Sequence, residues 1–98
     1  MARYMVAWEL DTSRVSADIK ERAVVWDSLL GMVEGDMKKG LTKDWAVYIG
    51  EMKGYSVCEG SELEIAAMCQ KFIPFVQFEI HSLTSAADMR QMLHGMAK

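Results

Sequence analysis

In the stretch of residues 75–83, positions 76–81 alternate strictly between apolar and polar side chains, and this alternation constrains the fold more than any other feature. A period of two places Val76, Phe78 and Ile80 on one side of an extended chain. The residues on the other side are Gln77, Glu79 and His81. The pattern predicts a strand with one face against a core and one face that carries ionisable groups.

Three further segments show the same two-residue period. Residues 3–10 predict a first strand, and residues 44–51 and 55–59 predict two more, joined by a turn at residues 51–54. The expected apolar face of these strands carries Tyr4, Val6, Trp8, Leu10, Trp45, Val47, Ile49, Tyr55 and Val57. The opposite face would carry Met5, Ala7, Glu9, Ala46, Tyr48, Ser56 and Cys58.

The remaining segments follow the helical period. Residues 16–39 predict a long helix, whose apolar stripe is Ile19, Ala23, Trp26, Leu30, Val33 and Met37. A rotated shoulder of Val25, Leu29 and Met32 indicates either a broad buried face or a subunit contact. Ser61 and Glu64 match the capping box of a second helix, which Pro74 ends. Thr84 or Ser85 caps a third, with Met89, Met92, Leu93 and Met96 on one stripe.

This order of elements, βαββαβ followed by a helix, predicts an α+β fold of the ferredoxin-like type. Hairpin pairing and right-handed crossovers give one four-stranded antiparallel sheet in the order 4-1-3-2, with both main helices on one side. The length of 98 residues fits a single domain spanning residues 1–98.

The opening run from Tyr4 to Glu9, the long helix, the aromatic hairpin and the closing Phe78-Glu79-Ile80 resemble the dimeric α+β barrel superfamily. Within it, the chain resembles a branch of short bacterial proteins described as a domain of unknown function. The resemblance covers most of the chain and implies that two sheets pair face to face into a barrel. Members include cofactor-free monooxygenases, lactone isomerases, haem-handling enzymes and small-ligand sensors. The implied branch has no assigned catalytic residues, so no residue role is transferred.

Composition argues against several classes of partner. The net charge of −3 provides no basic surface for nucleic acid or an anionic membrane. Residues 53–56 echo one signature of the RNA-recognition fold, but the later stacking positions are absent, and acylphosphatase chemistry needs an asparagine that this chain lacks. No apolar run approaches the roughly 20 residues of a membrane span, and two cysteines fit a reduced chain, so we expect a cytoplasmic protein.

The sheet face opposite the helices is the expected site. Small, aromatic, thiol and ionisable side chains collect there, which is typical of a cavity wall or of a semi-polar interface between paired sheets. The predicted ligand-binding residues are Met5, Glu9, Tyr48, Cys58, Gln77, Glu79 and His81. A simply solvated face is the alternative, since antiparallel sheets often leave one face wet.

The candidate catalytic residues are His81, Glu79 and Glu9, because a carboxylate beside a histidine can relay protons. A charged, wet interface explains the same residues without chemistry. A Cys58–His81 pair would require the partner subunit, since one strand separates them within a chain. Only His81 and His94 are histidines, with no metal-ligand spacing, so we predict no metal and no cofactor, haem included.

The sequence therefore predicts a homodimer that binds a small, partly apolar molecule between its sheets. A cofactor-independent enzyme of the monooxygenase or isomerase kind is the first alternative, and a structural assembly domain with a filled interior is the second. The last helix would pack on its own sheet or on the partner subunit.

Overall fold

The computed structural model describes residues 2–97, so the two terminal residues of the predicted domain lie outside the described range. The elements follow the predicted order. The strands are β1 (Arg3–Leu10), β2 (Thr42–Val47), β3 (Lys53–Glu59) and β4 (Val76–Leu83). The helices are α1 (Ile19–Lys38), α2 (Glu62–Gln70) and α3 (Ala86–Met96), and a short 3-10 helix (Thr12–Arg14) follows β1.

The strands form one antiparallel sheet in the order β2-β3-β1-β4, which confirms the predicted topology. The central strand β1 pairs with β3 on one side and with β4 on the other. Both main helices cover one face, because Val33 of α1 and Ile65 of α2 share a buried core with Val6 and Trp8 of β1. The α+β fold class is confirmed as well.

Two indole rings meet in the middle of this core. Trp8 of β1 and Trp45 of β2 stack with ring centroids 5.1 Å apart and planes 7° apart. Since β3 separates their strands, whose axes would be about 10 Å apart, the two rings must lean toward each other across β3. The small residues Gly54 and Ser56 of β3 pair with Trp8 and Trp45 and leave that room. Trp26 of α1 then packs edge-on against Trp8 at 6.1 Å.

This packing makes the predicted faces of β3 wrong. We expected Tyr55 and Val57 to face the helices because they are the more apolar residues of the strand. The register instead places Gly54 opposite Trp8, so the alternate residues point inward. The inward residues are Gly54, Ser56 and Cys58. Side-chain bulk decides the orientation, since a close-packed core has no room for a tyrosine ring under two stacked indoles.

The hairpin between β2 and β3 also differs from the prediction. Its connecting loop is residues 48–52 rather than 51–54, and β3 begins already at Lys53. Gly50 takes the positive φ of 78° that the loop requires, whereas Gly54 is needed inside the strand. Ile49, which we expected on the apolar face of the sheet, is fully exposed in this loop.

The buried face of α1 is rotated from the predicted stripe toward the shoulder. Leu29 and Met32 pack against the core, whereas Ile19 and Met37 are exposed. The buried Asp36, which no apolar stripe could include, forms a salt bridge with Lys71 at the end of α2. A buried carboxylate needs such a partner, so this ion pair helps to set the rotation of the helix. The helix begins later than predicted and continues through both of its glycines.

The caps of the two shorter helices are confirmed. Ser61 accepts a hydrogen bond from the Glu64 amide at 3.2 Å, and the Glu64 carboxylate accepts one from the Ser61 amide at 2.9 Å. Hydrogen bonding to the Glu64 carboxylate, first from the Ser61 amide and then from the Ser61 side chain, holds the pKa of Glu64 below its usual value. Ser85 caps α3 by accepting a hydrogen bond from the Asp88 amide, without the reciprocal bond of a capping box. None of the helices in residues 2–97 combines the length and the apolarity needed to cross a membrane.

We expect Gly54→Ala to destabilise the protein, because a methyl group there would lie 2.8 Å from Cζ2 of Trp8 and closer still to the Ala46 carbonyl oxygen. Overpacking of this kind costs roughly 3 kcal/mol. Gly31→Ala is the matched control, since open space surrounds that exposed helical glycine. It should stabilise the protein by about 0.5–1 kcal/mol. Urea denaturation of both variants measures the two changes, and equal stabilities would contradict the assigned packing.

Candidate functional site

The sheet face turned away from α1 and α2 is uncovered in the single chain; we call it the open face. Its centre is mostly apolar and half-buried, and it comprises Met5, Ala7, Ala46, Tyr55 and Val57. Charged and polar side chains surround this centre, namely Arg3, Glu9, Asp44, Lys53, Glu59, Gln77, Glu79 and His81. The open face therefore has an apolar middle and a polar margin.

A recess of about 360 Å³ lies at the end of the sheet where β1 ends and β4 begins. Register brings its polar walls together, because Glu9 of β1 pairs with Lys53 on one side and with Gln77 on the other. The hairpin loop contributes Tyr48. The lining residues are Ala7, Trp8, Glu9, Tyr48, Lys53, Gly54, Gln77, Phe78 and Glu79.

Four of the predicted site residues line this recess: Glu9, Tyr48, Gln77 and Glu79. Met5 and His81 share the open face but pair with each other farther along the strands, outside the recess lining. Lys53 also lines the recess, although the sequence predicted a turn at this position. The two-residue period of residues 53–59 was the available signal, because it continues through the glycine into Lys53.

The predicted place of Cys58 on the open face is wrong. Its side chain is fully buried on the helix side, where its Sγ lies 3.7 Å from Oγ1 of Thr42 and 3.8 Å from Sδ of Met68. The sheet therefore separates this thiol from His81 within one chain. Cys69 is also buried, and burial raises the pKa of its thiol, which keeps it protonated and weakly nucleophilic.

The three candidate catalytic residues are only partly brought together. Nε2 of His81 lies 3.1 Å from Oε1 of Glu79, so these two form a hydrogen-bonded pair. Glu9 has Lys53 and Gln77 as its direct cross-strand neighbours instead. The side chains of His81 and Glu79 are 62% and 75% exposed, so water surrounds the pair in the single chain. Within residues 2–97, no cluster of three or more histidine, cysteine or acidic side chains is placed to hold a metal ion.

One hydrogen bond fixes an aromatic ring near the centre of the open face. The Tyr55 hydroxyl donates to Oδ2 of Asp44 at 2.8 Å, and this bond raises the pKa of Tyr55. The negative carboxylate raises it further, because it disfavours a phenolate nearby. The ring is therefore held at its edge, and its face stays available for contact.

A family model described as a domain of unknown function, DUF3303, matches residues 2–97 of the chain. The chain belongs to the DUF3303 family. This confirms the resemblance to a family of unknown function. No curated protein matches the chain.

We expect Tyr55 of the DUF3303 domain to titrate above the ordinary tyrosine range and Asp44→Asn to bring its pKa down. Because the pKa is raised in the folded state, the bond stabilises the fold fully below the unfolded tyrosine pKa, and this contribution is lost as pH rises through the folded pKa. Phenolate absorbance against pH measures the titration, and Tyr55→Phe identifies its step. Identical curves for wild type and Asp44→Asn would contradict the assignment.

Proposed function

We propose that the protein is a homodimeric binding module, in which two open faces pair and enclose a small, partly apolar molecule. The recess on the open face is the observation that carries this proposal. Its volume of about 360 Å³ falls within the range of roughly 300–1,000 Å³ that is usual for small-molecule sites. A second copy would close the side of the recess that faces solvent in one chain.

The arrangement of side chains on the open face supports a protein partner. Interfaces commonly have an apolar core and a polar rim, and the open face has this layout. Met5 pairs with Val57, and Tyr55 lies between Ala7 and Ala46, so the apolar side chains form one continuous centre on β1, β2 and β3. Surface of this kind is stabilised when water leaves it on both partners.

The charges on the open face favour a second copy of the same chain. Arg3 and Lys53 are basic, while Glu9, Glu59 and Glu79 are acidic. In a two-fold interface the same face of both copies meets, and a residue on one side of the axis contacts a different residue of the other copy. A face that carries charges of both signs can therefore place positive groups opposite negative ones. A face of one sign would repel itself.

The recess suggests the chemistry of the ligand. Ala7 supplies an apolar contact, and Tyr48 supplies a ring with a hydroxyl group. Glu9 and Glu79 outnumber Lys53 as charged groups, so the lining favours a ligand with an apolar body and a cationic group. The Glu79–His81 pair, of which only Glu79 lines the recess, is exposed and lacks the dry surroundings that tune a proton-transfer group, so binding is better supported than catalysis.

We expect Val57→Glu to convert the dimer to a monomer, because the change places a charge in the apolar centre, where pairing would bury it without a partner. Val24→Glu is the matched control, since Val24 is exposed on α1, away from the open face. Light scattering after size-exclusion chromatography gives the mass of each variant, and circular dichroism checks the fold. A wild type with the mass of one chain, or a Val57→Glu variant that stays dimeric, would overturn the proposed pairing.

We expect the dimer to bind naphthylmethylamine more tightly than naphthylacetate, because the lining carries one more negative than positive charge. Glu79→Lys should reverse this preference by about tenfold or more, equivalent to about 1.4 kcal/mol. Glu62→Lys, at the exposed start of α2, is the control and should leave it unchanged. Probe fluorescence in a titration measures both affinities. A dimer that binds neither probe would support the structural assembly domain instead.

A further inference from the structure

The apolar stripe of α3 is uncovered in the single chain. Met89, Met92, Leu93 and Met96 recur at helical spacing and are 45–73% exposed. No residue of α3 is buried, although all eleven of its residues lie within the described part of the chain. The described residues extend 61 Å along the longest axis and only 25 and 20 Å along the others, and α3 makes at most a few contacts with any other element.

A helix of this length needs packing to be stable. Isolated helices shorter than about 12–15 residues are marginally stable in water, because the free energy gained from a few hydrogen bonds does not offset the unfavourable free energy of forming the first turn. The Ser85 cap satisfies one free amide but covers none of the stripe. Burial of the methionine and leucine side chains against another surface would supply the missing stabilisation.

An exposed apolar surface on the sheet could cover the α3 stripe. On the helix side of β4, burial declines along the strand from Val76 through Phe78 to Ile80, which is 40% exposed. Its cross-strand neighbour Val6 on β1 is fully buried. α1 and α2 therefore cover the central strand but leave the last half of this edge strand open. We call this position the β4 dock; it is centred on Ile80.

We propose that α3 of each copy packs on the β4 dock of a second copy, so that the dimer exchanges its C-terminal helices. The proposal rests on the pairing described under "Proposed function" but not on the ligand. In the structure, α3 starts after only Thr84 and Ser85, and both its stripe and Ile80 are exposed, so α3 does not cover the dock of its own chain. A symmetric exchange covers both stripes and both docks at once.

Two observations favour a second copy as the partner that covers the β4 dock: the dock adjoins the open face, and the open face alone is smaller than a stable interface. β4 is an edge strand, and it carries Gln77, Glu79 and His81 on the open face and Ile80 on the other face. A copy paired on the open face is therefore already beside the dock. With strands about 4.8 Å apart and a rise of about 3.3 Å per residue, the open face spans roughly 500 Å². A stable interface buries about 800 Å² per partner, and the exchanged helix would supply the difference.

Complementary variants test the exchange. Leu93→Asp damages the stripe, and Ile80→Asp damages the dock, so each variant alone should have the mass of one chain. An equal mixture should regain the dimer mass, because the intact α3 of one variant still meets the intact dock of the other. Gln91→Asp, on the polar side of α3, is the control and should stay dimeric. Monomeric variants that do not recover on mixing would overturn the exchange in favour of packing within one chain.

A cysteine pair provides a second measurement if Ile80→Asp fails to fold. Chains with Ile80→Cys and chains with Leu93→Cys are mixed and oxidised, while the native cysteines stay buried. A disulfide-linked dimer of the two chains is the expected product. Absence of this product, with an intramolecular disulfide in the double variant Ile80→Cys/Leu93→Cys, would show that α3 returns to its own chain.

The two proposals fail in different ways. If Leu93→Asp is monomeric and Val57→Glu remains dimeric, the helices are exchanged but the open faces do not pair. If Val57→Glu is monomeric and Leu93→Asp keeps the dimer mass, the open faces pair and the helix exchange is wrong. Dimers from both variants would overturn both proposals.

Discussion

The stack of Trp8 on Trp45 is the contact on which the rest of the sheet depends. The two indoles come from strands on either side of β3, so they can meet only if β3 presents almost no side chain beneath them. Gly54 and Ser56 meet this condition. Because successive residues of a strand alternate between faces, the inward orientation of these two residues also fixes the orientation of every other residue in β3. One steric requirement in the core thereby decides which residues of β3 reach the open face.

The orientation of β3 makes the centre of the open face apolar. With the small residues turned inward, Tyr55 and Val57 turn outward beside Met5 and Ala7 and form an apolar centre. The charged residues of the strand ends surround this centre and the recess. The open face and the α3 stripe both leave apolar area in contact with water, and this cost is relieved when the surfaces are buried by association. The edge strand β4 adjoins both surfaces, so one partner can cover them together.

Prediction from sequence succeeded where local pattern and tertiary packing agreed. In β1 and β4 a large apolar side chain recurs at every second position, so their faces and the outward placement of Gln77, Glu79 and His81 were predictable. The capping box at Ser61 was predictable because its partners are three residues apart. Prediction failed at Cys58, because in β3 the more apolar residues are also the larger ones, and the core selected for size.

The sequence by itself determined the order of elements, the sheet topology and the faces of the two most regular strands. These features follow from hydrophobic periodicity, caps and turn residues, which act over a few neighbouring positions. Only the tertiary structure decided the orientation of β3, the rotation of α1 and the exposure of the α3 stripe. Each of these depends on residues distant in the chain, such as Trp8 above Gly54 or Lys71 beside Asp36, and their mutual fit is set by the volume and charge of the assembled core.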